Sequence, residues 1–380
     1  MIYLDNAATT YPKPPDVHRA MAEALIHYGA NPGRGGYRMA MTTAERVYAC
    51  REALASLFSL EDPSGVVFTP NCTGALNLVI KGLLSHGGHA VITDLEHNSV
   101  IRPLEALDGV TYTTVTVDPL KPQETAWRIR RAILPTTKLI LCTHASNVLG
   151  KRTPIRAIGE VAGAMKIPFA VDAAQSAGIL PINMQTDHVN FLCLPGHKGL
   201  YGPMGIGALL CRGVYSLSTL LEGGTGSHSL LVSQPEELPD RLESGTLNVP
   251  AICGLLGGIR WIERNGGVEA IAKRETALMR TLYEQLANVP RIRLYTPYPD
   301  LSVTVPLMTF TVAGQTSEDV AQRLAEYGVA VRAGLHCAPS AHRRMGTVES
   351  GAVRLCPSAF TTREDLEKVR KILTEIARTP

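Results

Sequence analysis

Short apolar runs alternate with stretches that have a helical pattern of apolar and polar residues along the first two thirds of the chain. Short apolar runs without period-two alternation are typical of strands buried on both faces of a mostly parallel sheet, and they predict strands at residues 66–68, 90–93, 139–143, 169–172 and 189–194. The capping-box pattern Thr42-x-x-Glu45 predicts the start of a helix that ends near Phe58. Further helices are predicted up to Leu84 and over residues 154–165. This order of elements predicts an α/β fold.

The pattern changes after about residue 256. Charged helical stretches are predicted over residues 268–287, 317–327 and 362–377, and residues 303–312 alternate as an antiparallel strand does. Gly328 is placed to end the second of these helices. We therefore predict a large α/β domain over residues 15–255 and a smaller α+β domain over residues 256–380, with residues 1–14 packing on the smaller domain.

Composition narrows the class of protein but not its function. The 380 residues are 45% hydrophobic and 19% charged, as in a globular chain, and the net charge of +3 comes without a long basic run. Nucleic acid and membranes are therefore not predicted partners. The eight cysteines lie at least 18 residues apart, so they form no short metal-ligand pair and no metal site is predicted. Because the N-terminus carries no secretory signal, these unpaired thiols predict a cytoplasmic enzyme.

Two charged residues stand where predicted strands end. Asp172 ends the run at 169–172, and Lys198 lies in a glycine-flanked turn after the run at 189–194. In α/β folds, ligands bind at the carboxyl ends of the strands. Taken singly, the two residues could equally be a helix-capping aspartate and a solvated loop lysine. Together they match pyridoxal phosphate, whose aldehyde needs a lysine and whose pyridine nitrogen needs a carboxylate.

The same cofactor needs a phosphate site and a group against its ring. Asn71-Cys72-Thr73-Gly74, at a predicted helix N-terminus, offers backbone amides, a hydroxyl and the favourable end of the helix dipole, although a simple helix cap has the same pattern. His97 follows the strand at 90–93 and could stack on the ring, or could be a plain loop histidine. These residues complete a predicted pyridoxal phosphate site.

Five motifs follow one another along the chain. They are Tyr3-Leu4-Asp5-Asn6-Ala7-Ala8-Thr9-Thr10, Asn31-Pro32-Gly33-Arg34-Gly35, the block around Asp172 and Gln175, the turn Gly196-His197-Lys198, and Arg332-Ala333-Gly334-Leu335-His336-Cys337-Ala338. On these motifs the whole chain resembles the cysteine desulfurases and selenocysteine lyases, and its short cysteine loop resembles their group II branch. The resemblance implies a class V aminotransferase-like enzyme of fold-type I. Its large domain would hold a mostly parallel, seven-stranded sheet between helices, followed by a smaller α+β domain.

The resemblance also implies a role for each matching position. Lys198 would bind the cofactor aldehyde, Asp172 the pyridine nitrogen and Gln175 the ring hydroxyl. His97 would lie over the ring and help to move protons. The other matches are Cys72, Thr73 and His197 for the phosphate, Asn147 near cofactor and substrate, Arg354 for the substrate carboxylate, and Thr246, which would reach the phosphate in the partner subunit of a homodimer.

Cys337 decides which reaction the resemblance implies. A free cysteine is most often a small buried hydrophobic residue. Cys337 instead lies in a polar loop beside His336 and close to Arg332, and a cationic setting favours the thiolate. As a nucleophile it would take sulfur from L-cysteine as a persulfide, leave L-alanine, and pass the sulfur to an acceptor protein. For Cys356, packing is the expected role.

Three alternatives stay open on the sequence. A selenocysteine lyase would release selenium from L-selenocysteine, and Cys337 could then be dispensable. Another pyridoxal phosphate reaction, such as transamination or a different C–S cleavage, would use the same lysine and aspartate. A non-catalytic sulfur-carrier scaffold is the third, and the intact set of reacting residues argues against it. The sequence departs from the family pattern at Tyr37, Thr361 and Pro195, of which only Pro195 removes an expected phosphate donor.

Overall fold

Strands and helices alternate through the first part of the chain, and a helix-rich part follows. The structure, a computed structural model, describes residues 1–32, 35–227 and 229–378. Its strands are β1 (Ile2–Tyr3), β2 (Val66–Thr69), β3 (Gly88–Thr93), β4 (Val110–Val115), β5 (Thr137–Thr143), β6 (Phe169–Asp172), β7 (Phe191–Pro195), β8 (Gly207–Cys211), β9 (Ile292–Leu294), β10 (Met308–Val312), β11 (Val329–Ala330) and β12 (Val353–Leu355). Its α-helices are α1 (Pro15–His27), α2 (Arg38–Phe58), α3 (Cys72–Leu84), α4 (Asn98–Glu105), α5 (Pro122–Ala132), α6 (Ile155–Met165), α7 (Val249–Arg264), α8 (Gly267–Leu286), α9 (Ser317–Glu326), α10 (Pro339–Met345) and α11 (Arg363–Arg378).

Seven strands form the central sheet, in the order β2-β8-β7-β6-β5-β3-β4. The pairs from β7 through β6, β5 and β3 to β4 are parallel, and β8 is antiparallel to both β7 and β2. The sheet is therefore mixed but mostly parallel, which confirms the predicted α/β class and its seven strands. The carboxyl ends of the parallel strands share one edge, as ligand sites in such sheets require.

Both faces of the sheet are covered, which explains why the strands read as continuous apolar runs. In β5, Leu139 and Leu141 face a core built with α3 and α4, while Ile140 and Cys142 face a second core built with α2, α6 and α7. All four side chains are fully buried. Since alternate residues meet two apolar layers, period-two alternation disappears from the sequence.

The C-terminal part is built around a smaller sheet. Strands β12, β10 and β9 pair antiparallel in that order, and helices α8, α9 and α11 pack on them around a third core. The N-terminus joins this part, because β1 pairs in parallel with β11 and Leu4 lies in the same core. The predicted division between residues 255 and 256 falls inside α7 and stays a prediction.

Two elements begin several residues away from their predicted starts. Helix α2 begins at Arg38, so Thr42 lies inside the helix, and no side-chain hydrogen bond caps its first turn. The strand predicted over residues 303–312 is limited to β10, because residues 303–307 leave the sheet and only Thr304 forms an isolated bridge, with Lys151. Within the described residues, no helix has both the length and the apolar character needed to cross a membrane.

Candidate functional site

The carboxyl edge of the parallel strands brings most of the predicted site residues to one pocket. Strands β6 and β7 are neighbours, so Asp172 at the end of one and Lys198 just past the other meet there. Helices α3 and α4 begin at the same edge and bring their first residues into the wall. The predicted residues that line this pocket are Cys72, Thr73, His97, Asn147, Asp172, Gln175, His197 and Lys198.

Asp172 is a buried carboxylate whose side chain is held in place by hydrogen bonds. It is 2% exposed, and its Oδ1 accepts from the Ala174 amide at 2.8 Å and from the Cys72 thiol at 3.4 Å. Burial, followed by the nearby Asp172 charge, raises the pKa of Cys72 well above its usual value, so the thiol keeps its proton and donates it. This thiol contact is a role for Cys72 that the sequence did not predict. The result is a carboxyl group that is held in a fixed position facing the pocket.

Lys198 lies in a turn that the N-terminal segment holds closed. The His197 carbonyl accepts from the Thr10 amide at 3.0 Å and from the Lys13 ammonium at 2.8 Å. Burial, and after it the positive charge of Arg354, lowers the pKa of Lys198. A lysine with a lowered pKa presents more neutral amine, which is the form that attacks carbonyls and accepts protons.

His97 and His197 line the pocket beside Asp172 and Lys198. His97 caps α4, since its Nδ1 accepts from the Ser99 amide at 3.1 Å, and burial lowers its pKa. Its Nε2 therefore carries the proton in the neutral ring. The Nδ1 of His197 is buried and has no hydrogen-bond partner within the described chain, and burial lowers its pKa to about 4. A buried ring nitrogen without a partner is the kind of group that a bound ligand satisfies.

The start of α3 offers the predicted phosphate cradle. Asn71 caps the helix by accepting from the Gly74 amide at 2.9 Å, and Cys72 and Thr73 are the first two helical residues. The amides of a first turn have no acceptor inside their own helix, and the helix dipole favours an anion there. Thr73 is exposed, so its hydroxyl is accessible. Gln175 lines the pocket, and its Nε2 donates to the Ala7 carbonyl at 2.9 Å. Its expected contact with the ring hydroxyl stays a prediction.

Arg354 lies beside the pocket with one edge of its guanidinium unused. It is 2% exposed, its Nη2 donates to Asp5 at 2.9 Å, and its Nη1 donates to the Asn147 carbonyl at 3.1 Å. Its buried Nε has no partner among the described residues. Burial lowers its pKa, and the Asp5 carboxylate opposes that shift. A substrate carboxylate would accept a hydrogen bond from this free Nε–H.

Cys337 is exposed and is anchored next to this pocket. Its carbonyl accepts from the amide of Asn98, the residue after His97, at 2.8 Å. Asn147 contacts the same loop, because its Nδ2 donates to the His336 carbonyl at 2.7 Å. Cys356 differs, since its Sγ lies against the Pro306 carbonyl and burial raises its pKa. Among the cysteines, all of which the structure describes, only Cys337 is exposed and lies beside the pocket.

One of the predicted site residues, Thr246, does not line this pocket. Thr246 is exposed and lies outside the pocket, between Gly245 and the start of α7. Its expected role at the site of a partner subunit stays a prediction. Gly33 and Arg34, part of one of the five motifs, lie outside the described residues. Within the described residues, no three His, Cys, Asp or Glu side chains are grouped so that they could hold a metal ion.

Comparisons with known proteins show the family to which the chain belongs. The sequence model of the family "Aminotransferase class-V" matches residues 2–369. A probable cysteine desulfurase of Methanothermobacter thermautotrophicus is 33% identical, over 99% of this chain and 94% of that protein. The chain is a member of the cysteine desulfurase family. A cysteine desulfurase of Klebsiella pneumoniae is 30% identical over 98% of this chain and 94% of its own length. The apo structure of the cysteine desulfurase from Thermococcus onnurineus NA1 superimposes with a TM-score of 0.91, at 31% identity, covering 99% of this chain and 94% of that one.

This member of the cysteine desulfurase family uses residues at its site that the sequence did not single out. Asp5 pairs with Arg354 although the two are 349 residues apart. Lys13 donates to the turn that carries Lys198, and burial lowers its pKa to about 8. Asp5 belongs to one of the five motifs, which is a signal for its position, but Lys13 carries no local signal of its contact.

Proposed function

We propose that this chain is a pyridoxal-phosphate-dependent cysteine desulfurase that converts L-cysteine to L-alanine and passes the sulfur through Cys337. The observation that carries the proposal is one pocket that combines Lys198 and Asp172, with the exposed Cys337 anchored at the residue next to His97. The family relationship supports the cofactor, and so does the fit of the residues. A lysine of lowered pKa, a buried carboxylate, the partnerless Nδ1 of His197 and a helix N-terminus suit its aldehyde, ring nitrogen and phosphate.

Different residues of this chain carry out different steps of the proposed reaction. Bound pyridoxal phosphate supplies an electron sink that stabilises negative charge at the substrate α-carbon. Arg354 binds the substrate carboxylate through its free Nε–H, and the Lys198 amine takes the α-proton. The Cys337 thiolate then attacks the substrate sulfur. A bond forms between the two sulfur atoms, and the C–S bond breaks with its electron pair going to the β-carbon side of the substrate. The β-carbon gains a proton, Lys198 returns a proton to the α-carbon, and the product leaves as L-alanine.

A second thiol can reach the persulfide on Cys337 directly. Because Cys337 is exposed, an acceptor thiol on another molecule can attack the outer sulfur and restore the free cysteine. All eight cysteines are unpaired, which fits a reducing compartment and supports a cytoplasmic location. We infer that the acceptor is a protein or small-molecule thiol in the same compartment.

The substitution Cys337→Ala tests the sulfur-transfer step. Without the thiol, release of L-alanine from L-cysteine should fall by about 100-fold or more, since covalent nucleophiles are rarely replaceable. L-selenocysteine should still be processed, because selenium leaves without an attacking thiol. Full turnover of L-cysteine by the variant would rule out the persulfide route. A wild-type enzyme that processes only L-selenocysteine would instead assign the chain as a selenocysteine lyase, and keto acid without alanine would indicate transamination.

We also propose that the active form is a homodimer. Helix α1 and the first turn of α2 expose large apolar side chains, including Leu25 and Ile26 at 70% and 71% exposure, together with Met39 and Met41. Such a surface is typical of one that another protein covers. Sedimentation should give twice the chain mass, and Thr246→Ala should weaken pyridoxal phosphate binding if Thr246 reaches the partner's phosphate. A monomer that retains the cofactor fully would refute both statements.

A further inference from the structure

The loop that carries Cys337 has an unfavourable backbone conformation. His336 and Cys337 follow each other with φ of 52° and 56°, in the left-handed region that residues with a Cβ seldom occupy. Two such residues in succession persist only where surrounding contacts hold them. Asn147 and Asn98 hold the two carbonyls, as described above. The His336 side chain is held separately, by a second set of contacts.

The partners of the His336 ring fix where its proton lies. The ring is 4% exposed, and its Nε2 lies 3.2 Å from the Arg332 carbonyl oxygen. A carbonyl only accepts, so this nitrogen carries the proton and the Nδ1 of the neutral ring must accept. The Nε2 of His342 lies 3.4 Å from that Nδ1. His342 is therefore the donor to His336.

His342 is itself fixed by its place in α10. The side chain is fully buried, and its ring lies nearly parallel to that of His336, at 9° with centroids 5.6 Å apart. Its Nδ1 lies 2.9 Å from the Thr347 hydroxyl, which donates to it. Burial lowers the pKa of both rings, to about 3 for His336. The hydrogen bonds therefore run in one direction, from the Thr347 hydroxyl through His342 and His336 to the Arg332 carbonyl.

We propose that His342 is a positioning residue for Cys337, which holds the His336 ring and thereby the left-handed loop that presents the thiol to the pocket. The contact with substrate belongs to Cys337, and His342 acts only through the loop. The inference rests on the proposed function for its catalytic meaning, but the geometry that it explains belongs to the chain without cofactor or substrate.

Hydrogen–deuterium exchange of the ligand-free protein tests the geometry directly. His342→Ala should speed exchange of the Asn98 amide by about tenfold, the equivalent of roughly one lost hydrogen bond, because the Cys337 carbonyl no longer stays at its acceptor position. His342→Gln should restore most of the protection, since its side-chain amide can donate to the His336 Nδ1. The matched control is His89→Ala, which removes another buried histidine with two ring hydrogen bonds, to Thr137 and Thr113, in the central sheet.

An activity measurement separates positioning from general stability. His342→Ala should lower kcat for L-alanine release from L-cysteine by about tenfold with little change in KM, because substrate binding does not use the loop. The double variant with His342→Ala and Cys337→Ala should turn over L-selenocysteine at the same rate as Cys337→Ala alone, because no thiol remains to be positioned. If exchange at Asn98 rises no more than in His89→Ala, the inference is overturned. If the wild-type protein releases no alanine at all, the proposed function fails, while Asn98 exchange still decides the role of His342.

Discussion

Replacing Arg354 by lysine tests how the site binds its substrate. Arg354→Lys keeps the positive charge and can keep the ion pair with Asp5, whose carboxylate lies 2.9 Å from Nη2. It removes the Nε–H that we assign to the substrate carboxylate and the Nη1 contact to the Asn147 carbonyl. Alanine would be a poorer choice, because it would leave Asp5 without its counter-charge and leave a cavity in β12.

The size of the effect follows from the hydrogen bonds that are lost. A hydrogen bond to a charged group contributes about 1.5–3 kcal/mol, and about 1.4 kcal/mol changes an affinity tenfold. Loss of the Nε–H contact therefore predicts a KM for L-cysteine that is roughly 10–100 times higher. The turnover number should change far less, because the reacting groups, Lys198 and Cys337, stay in place.

The assay is alanine release against L-cysteine concentration at saturating pyridoxal phosphate, with thermal unfolding measured alongside. The control is Asp5→Asn, which keeps an oxygen acceptor for Nη2 but removes the negative charge that competes for the guanidinium. Its KM should stay at or below the wild-type value. An unchanged KM in Arg354→Lys would refute the carboxylate assignment, and an equal rise in Asp5→Asn would show that Arg354 acts only by holding the N-terminal segment.

Three further predictions concern the cofactor lysine, pH and stability. Lys198→Ala should bind pyridoxal phosphate without forming the covalent, yellow species, and a spectrum identical to that of the wild type would exclude Lys198 as the attachment point. Burial raises the pKa of Glu96 from 4.5 to about 8, so the folded state binds its proton more tightly than the unfolded state and stability falls as pH rises through this range. The Glu96→Gln side chain cannot titrate. In urea unfolding, the free energy of unfolding of the variant minus that of the wild type should therefore increase by at least ~1.4 kcal/mol between about pH 6 and pH 9. Arg51→Met should lower the free energy of unfolding by about 3–5 kcal/mol, because it leaves the buried Glu243 carboxylate without the partner that now lies 2.6 Å away, and a loss below ~1 kcal/mol would contradict this.

Much of the central sheet could be predicted because burial on both faces leaves a simple pattern. All five predicted strands are present: β2 and β6 begin where predicted, β3 and β5 begin two residues earlier, and β7 begins two residues later. Strand β4 was not predicted, since it lies at the sheet edge, is largely half-exposed and carries four threonine or tyrosine residues among its six. The sequence pattern of an edge strand reflects solvent as much as core, so its apolar signal is weak.

Some features of the candidate site could likewise be predicted from the sequence, and others could not. The positions of Lys198 and Asp172 follow from two strand ends, and neighbouring parallel strands place such ends together. The contacts of Arg354 could not be predicted, because Asp5 and Asn147 are 349 and 207 residues away and nothing local records the pairing. His342 has the sequence context of an ordinary helix residue, and only the fold shows that its ring meets that of His336.

Asn147 connects the two halves of the proposed reaction, and the strength of that connection can be bounded. Its carbonyl accepts from Arg354 at 3.1 Å, while its side-chain amide donates to the His336 carbonyl at 2.7 Å. A ligand on Arg354 can influence the Cys337 loop through this residue by no more than the weaker contact is worth. At about 1 kcal/mol for a hydrogen bond, that corresponds to roughly a fivefold effect. Asn147 therefore sets the distance between the carboxylate site and the thiol, and it is too weak a link to switch the loop between two states when substrate binds.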